Sequence, residues 1–246
     1  MLIHGFHAVL ARLRRNPESI RELYVDVSRD DPRMRDLVRL AGEAGVKPIP
    51  ANGERLGRLC PARRHQGVVA IAEAALPSLS LEGLLDTVEG PALLLVLDGV
   101  TDPRNLGACL RVADGAGCQG VIAPKDHSCL LTEVAIQTAS GAAESVPYVM
   151  VTNLARALDT MQERGIWTVG AADEAPDSLY QIELPASVAW VLGAEGTGLR
   201  RLTRERCDLL AHIPMAGQVG NLNVSVAAGV VLFETVRQRM AAATPD

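Results

Sequence analysis

Aromatic side chains are scarce in this chain. Phe, Tyr and Trp make up 3% of its 246 residues, so a core must be aliphatic, built from Leu, Val, Ile and Ala. Long apolar runs are missing too. Nothing approaches the ~20 consecutive apolar residues of a membrane span, and the opening MLIHGFHAVLARLRR lacks the apolar stretch of a secretory leader. The chain is expected to be soluble and cytoplasmic, with no membrane partner. Five cysteines, Cys60, Cys109, Cys118, Cys129 and Cys207, form no C-x-x-C pair and no zinc spacing with histidine. They read as reduced core thiols, and no metal site is expected.

An excess of positive charge is absent as well. The formal net charge is −5, which averages against a polyanion partner. The average conceals clusters at Arg12, Arg14 and Arg15, at Arg63, Arg64 and His65, and at Arg200, Arg201, Arg204 and Arg206. Local patches rather than total charge govern phosphate contact. Each cluster reads equally as a solvated helix face.

With 48% hydrophobic residues the chain is long enough for one large or two small domains. Strand-length apolar runs alternate with helix-length amphipathic ones. Residues 22–26, 47–50 and 68–72 read as strands, and 32–44 and 52–59 as helices, which makes a small α/β/α unit over 1–73. Residues 74–90, with Pro77, two serines and a short helical pattern, read as a linker. Over 91–246, aliphatic strands at 92–97, 120–123, 166–169 and 188–192 alternate with helices at 106–114, 132–140, 153–164 and 223–240. Continuous aliphatic strands imply a parallel sheet covered on both faces, with ligands beyond the carboxyl ends of its strands.

Three stretches concentrate glycine with polar residues set among small apolar ones: DGVTDPRNLGACLR (98–111), LGAEGTGL (192–199) and IPMAGQVGNLNVSVAAG (213–229). Such composition suits close backbone approach to a ligand. The strand-helix turn of a dinucleotide domain would carry G-x-G-x-x-G, yet DGVTDPRNLGA follows the first strand. Gly193, Gly196 and Gly198 come late with reversed spacing. A Walker phosphate loop is missing too.

These three stretches, in this order, resemble the SpoU/TrmH branch of the SPOUT RNA methyltransferases. IHGFHAVLARL and RRHQGVVA resemble the L30e-like RNA-binding domain of its ribosomal branch, so nearly the whole chain is covered. Within that branch the resemblance is strongest to enzymes acting on a guanosine ribose in the peptidyl-transferase loop of large-subunit ribosomal RNA. A transfer-RNA ribose methyltransferase and a knotted RNA-binding protein without turnover are the alternatives.

The resemblance implies a catalytic domain with a trefoil knot, against the general rule that chains do not thread loops. It implies S-adenosylmethionine held among the knot loops by Gly193, Glu195, Gly196, Ile213, Met215 and Leu222, and a homodimer formed through the knot. It implies Asn105, Arg111, Glu195, Asn223 and Ser225 as catalytic residues. Asn105 and Arg111 lie about 600° of helical rotation apart, so Arg111 is expected to reach back toward the helix mouth. Guanidinium stays protonated, which favours orientation of the ribose or its phosphate over general-base work. Arg63, Arg64, His65 and Gln66 are the expected RNA contacts, with Arg12, Arg14 and Arg15 secondary. Asn221 stands where relatives carry serine, which puts any role requiring a hydroxyl in doubt.

Overall fold

A computed structural model describes residues 2–61, 65–73 and 79–243. The chain divides into two compact units, 1–77 with 140–145 and 78–139 with 146–246.

The first unit contains β1 (Leu2–His4), α1 (Phe6–Arg15), β2 (Ile20–Asp26), α2 (Pro32–Glu43), β3 (Pro48–Ala51), α3 (Gly53–Leu59) and β4 (Val68–Ala72). Its sheet runs β1-β4-β2-β3, antiparallel except for the β2–β3 pair. Strand alternation sends Leu23, Val25, Val68 and Ala70 to one face, against Phe6, Val9 and Leu13 of α1 and Leu37 and Ala41 of α2. Tyr24 and Val69 face the other way, onto Leu56 of α3 and Cys60. Helices on both faces give the α/β/α layering. The Asp31 side chain caps α2 and Pro32 occupies its first position; Asn52 caps α3 through the Arg55 N–H.

The second unit contains α4 (Leu81–Asp86), β5 (Leu93–Asp98), α5 (Pro103–Gly115), β6 (Gly120–Pro124), α6 (Glu133–Ala139), β7 (Tyr148–Val151), α8 (Leu154–Glu163), β8 (Trp167–Ala171), β9 (Asp177–Ser178), β10 (Val188–Gly193), α9 (Arg201–Glu205), β11 (Leu209–His212) and α10 (Val224–Ala243). The short α7 (Ala142–Ser145), between α6 and β7, groups with the first unit. Seven strands in the order β7-β6-β5-β10-β8-β11-β9 pair in parallel throughout. The central strands are buried on both faces, as β5, LLLVLD, shows at every position.

The expected linker departs from the structure. Within 79–90, Ser80 caps α4, whose Leu81, Leu84 and Leu85 enter the core of the second unit; the serine and the apolar i, i+3, i+4 spacing act together there. All five cysteines are free thiols, four of them buried. No helix among the described residues is long and apolar enough to cross a membrane.

Candidate functional site

The carboxyl ends of β8, β10 and β11 open onto one cleft of ≈ 270 Å³. The end of β8 contributes Ala171 and Ala172, the turn after β10 contributes Gly193–Leu199, and the segment after β11 contributes Ile213 and Met215. Asn221 and Leu222, just before α10, close it. Gly193, Glu195, Gly196, Ile213, Met215 and Leu222, which the family resemblance assigns to a cofactor, thus line a single cavity.

The glycines in the turn act differently. A Cβ on Gly193 would stand 2.0 Å from the Gly198 carbonyl carbon and 2.3 Å from the Leu199 nitrogen, so the backbone folds back against this position. Gly196 and Gly198 instead take left-handed backbone angles, φ +80° and +66°, with open space where a side chain would stand. The turn closes through the Gly198 N–H, which donates to the Ala194 carbonyl at 2.9 Å.

A polar network borders the cleft. Asn105, in the first turn of α5, donates to Glu195 Oε1 at 3.2 Å and accepts from Asn223 Nδ2 at 3.0 Å. Asn223 Nδ2 also donates to Glu195. Asn223 Oδ1 then accepts the Ser225 hydroxyl at 2.6 Å and the Ser225 N–H at 3.0 Å, securing the start of α10. Four of the five expected catalytic residues therefore meet, although up to 118 positions separate partners in the chain. Arg111 does not join them. It lies on the exposed side of α5, and its guanidinium makes no hydrogen bond or ion pair within the described residues.

The residue types around the cleft suit a cationic ligand. Asp173, Glu174 and Glu195 line it, and no Lys, Arg or His does. S-adenosylmethionine, with a sulfonium and an apolar adenosine, fits this set: carboxylates, small residues and the apolar Leu192, Ile213 and Leu222. Beneath the site, burial and then the nearby Glu195 charge push the Cys109 thiol up to about 12, which keeps it neutral. Among the described residues no group of His, Cys, Asp and Glu could hold a metal ion.

Sequence reasoning missed a second pair. Asp98 ends β5 beside Gly193 of β10 and is completely buried. It accepts the Arg200 N–H at 3.0 Å and pairs with the Arg200 guanidinium, which ties the far end of the cleft turn back to the sheet. The signal was a carboxylate closing an otherwise aliphatic strand. Ala171–Glu174, after β8, were missed too; small residues followed by acids marked them.

The basic clusters prove unequal. Arg200 pairs with Asp98, Arg204 with Glu174 and Arg206 with Asp159, so most of the cluster after β10 is engaged by carboxylates of other elements, while Arg201 has only an exposed i, i+4 pair with Glu205. Arg12 is 1% exposed and bridges to Glu144 at 2.6 Å, so it is a structural ion pair and not an RNA contact. Gln66 Oε1 accepts the Phe6 N–H at 3.2 Å, capping α1, while His65 Nδ1 accepts the Gly67 N–H. Arg63 and Arg64 lie outside the described residues.

Fold and site together define an RNA methylase of the SpoU class. The profile of the SpoU rRNA Methylase family matches residues 92–233, and that of RNA 2'-O ribose methyltransferase substrate binding matches residues 2–77. The chain belongs to the SpoU rRNA methylase family. It is 59% identical to the 23S rRNA (guanosine-2'-O-)-methyltransferase RlmB of Ralstonia nicotianae, covering 97% of this chain and 96% of that one. The Bordetella pertussis protein of the same name is 54% identical, covering 97% of each. Among solved structures, the SpoU methyltransferase AviRb from Streptomyces viridochromogenes, in complex with the cofactor AdoMet, superposes with a TM-score of 0.80 at 25% identity, covering 98% of this chain and 91% of that one.

Proposed function

We propose that this protein methylates the ribose 2'-hydroxyl of a guanosine in 23S ribosomal RNA, in the peptidyl-transferase loop, using S-adenosylmethionine. The observation that carries the reading is the meeting of six expected cofactor residues in one cleft with the Asn105–Glu195–Asn223–Ser225 network at its border. Relatives named 23S rRNA (guanosine-2'-O-)-methyltransferase match almost the whole chain and support the 23S guanosine substrate.

When bound, S-adenosylmethionine supplies an electrophilic methyl group. The task left to the protein is to orient the attacking hydroxyl, and positioning alone is worth several kcal/mol of a barrier. Glu195 holds the amides of Asn105 and Asn223 in fixed directions. Arg111, permanently charged and without a partner among the described residues, is free to hold the ribose or its phosphate by charge-assisted hydrogen bonds. A phosphate oxygen beside the ribose takes the hydroxyl proton.

The same proposal includes a homodimer. A helix buried on one side normally turns a polar face outward, yet Val226, Phe233 and Met240 recur every seven residues on the exposed side of α10, 50–67% accessible. A second copy covering this stripe accounts for it. Knotted threading of residues 192–199 and 213–229 is also part of the reading, supported by a strand order that sets β10 between β5 and β8 and by the packing of α10 on α5. The first unit grips the RNA, in the cytoplasm.

Incubation of the purified protein with methyl-labelled donor, unmodified 23S RNA and transfer RNA tests the assignment. Label is expected in 23S RNA alone, at a guanosine ribose that primer extension at low nucleotide concentration locates. Label in transfer RNA would reassign the substrate. Absence of label in both, with the donor still bound, would leave a knotted RNA-binding protein.

A further inference from the structure

The first unit carries a groove between α1 and α2, of whose lining only Arg14 is an RNA contact expected from sequence, and a secondary one. α1 lines it with Phe6, His7, Leu10 and Arg14, and α2 with Arg33, Asp36, Arg39 and Leu40, around ≈ 240 Å³. The helical period explains the arrangement. Phe6, Leu10 and Arg14 are spaced by four, and Arg33, Asp36, Arg39 and Leu40 by three and four, so each helix offers one ridge.

Most arginines of these helices and the turn before α2 are occupied elsewhere. Arg12 pairs with Glu144, Arg15 donates to the Ser145 carbonyl, Arg29 pairs with Asp31, and Arg35 pairs with Asp30. Arg39 shares its charge with Glu43 in an exposed i, i+4 pair, an interaction of small worth that an incoming anion can displace. The guanidinium groups of Arg14 and Arg33 are exposed and have no hydrogen bond or ion pair within the described residues, and both face the groove. Asp36 also faces it, a carboxylate that accepts no hydrogen bond within the described residues, and His7 stands at the α1 end. Below them lie the apolar Phe6, Leu10 and Leu40.

We propose that this groove holds a segment of the RNA substrate, with Arg14, Arg33 and Arg39 on successive phosphates and Asp36 accepting a ribose 2'-hydroxyl. The proposal rests on the RNA methyltransferase reading and names the surface by which the first unit would take hold of its substrate. Cations over an apolar floor suit an unpaired strand, whose sugars and bases present apolar faces between phosphates. A carboxylate among them repels phosphate but rewards a hydroxyl donor, so the groove distinguishes RNA from DNA. The groove starts at Phe6, whose N–H is capped by Gln66, one of the RNA contacts expected from sequence.

Fluorescence anisotropy of the full-length protein with a labelled fragment of 23S RNA tests this, at salt concentrations from 50 to 300 mM. Each phosphate contact to a single strand contributes roughly 0.7 to the slope of log affinity against log salt. The R14Q/R33Q variant is expected to lose about 1.4 from that slope and to bind roughly tenfold more weakly at 100 mM salt, with donor affinity and melting temperature unchanged. D36N is expected to narrow the preference for RNA over DNA of the same sequence. R58Q, which removes one charge from α3 outside the groove, serves as the control. A slope in R14Q/R33Q equal to that of the parent, or a loss in R58Q equal to half that of the double variant, would overturn the proposal. Failure of the parent protein to bind or methylate any RNA would instead overturn the functional reading, and the groove with it.

Discussion

Removing either partner of the Asp98–Arg200 pair should destabilise the second unit, but by unequal amounts. Asp98 is completely buried, whereas the Arg200 side chain is 46% exposed. Arg200→Ala leaves a carboxylate in the sheet with only the residue-200 N–H for a partner; breaking a buried pair in this way costs about 3–5 kcal/mol. Asp98→Asn leaves the guanidinium instead, which can turn into water, and keeps an oxygen for the same N–H. Its cost is one charged hydrogen bond, discounted for exposure to about 1–2 kcal/mol. Urea unfolding followed by tryptophan fluorescence reads this unit alone, because both tryptophans, Trp167 and Trp190, belong to it. Trp190 is fully buried and donates to Thr235 at 2.9 Å, so its emission reports native packing. With a urea slope of about 2 kcal/mol/M, the Arg200→Ala midpoint should fall by about 1.5–2.5 M and that of Asp98→Asn by less than about 1 M. An equal or reversed order would refute the view that the buried carboxylate is the costly member.

Gly193→Ala should abolish donor binding measured by calorimetry, because its Cβ meets backbone at 2.0 Å; Gly196→Ala, in open space at φ +80°, should lose about 1–2 kcal/mol of stability and bind more weakly. Arg111→Ala is expected to reduce methyl transfer at least 100-fold with donor affinity intact, and retained turnover would remove it from the chemistry. If the proposed dimer forms through the α10 stripe, the parent should sediment as a dimer and Phe233→Glu as a monomer; a monomeric parent would refute it. Burial pushes the thiols of Cys109, Cys118 and Cys207 up to about 12. Between the ordinary value near 8.5 and 12 the unfolded chain releases these protons and the native chain holds them, so stability is full below that window and falls as pH rises through it. The urea midpoint should therefore drop from pH 8 to pH 10.5, and Cys118→Ala should flatten the decline.

Much of this architecture is legible in the chain because the controlling forces are local. Aliphatic runs such as ALLLVL identify central strands without reference to neighbours, and Asn52 and Asn153 mark helix starts that the structure places one residue later. The elements that escaped are those whose local signal is short or interrupted. β9 is two residues long, β7 and β11 are four each, and α9 is only five. The six-residue α4 lies in a stretch where Pro77 and two serines argue for a linker, although one of those serines caps it. β1 and α1 were legible in principle, since Phe6, Val9 and Leu13 repeat at helical spacing and are buried.

The site divides along the same line. Glycines at 193, 196 and 198 could be marked because conformational freedom and the space beside a backbone are properties of the residue itself. Whether an arginine is free for phosphate is a property of its partner, and the partners are remote: Glu174 is 30 positions from Arg204, Asp159 is 47 from Arg206, and Asp98 is 102 from Arg200. The clustered arginines Arg200, Arg201, Arg204 and Arg206 therefore looked like a basic patch until the fold brought remote carboxylates to three of them, Arg201 being paired only with its helix neighbour Glu205. The same remoteness hides the role of Asp98. A charge at the end of an aliphatic strand can be an ordinary exposed terminus, and only the pairing of β5 with β10 places it beneath the turn it secures. Strand order, set by which long crossovers pack together, thus decides which of the legible residues become a site. Arg111 remains outside the network after that order is known, so its assignment rests on the turnover of Arg111→Ala and not on the geometry.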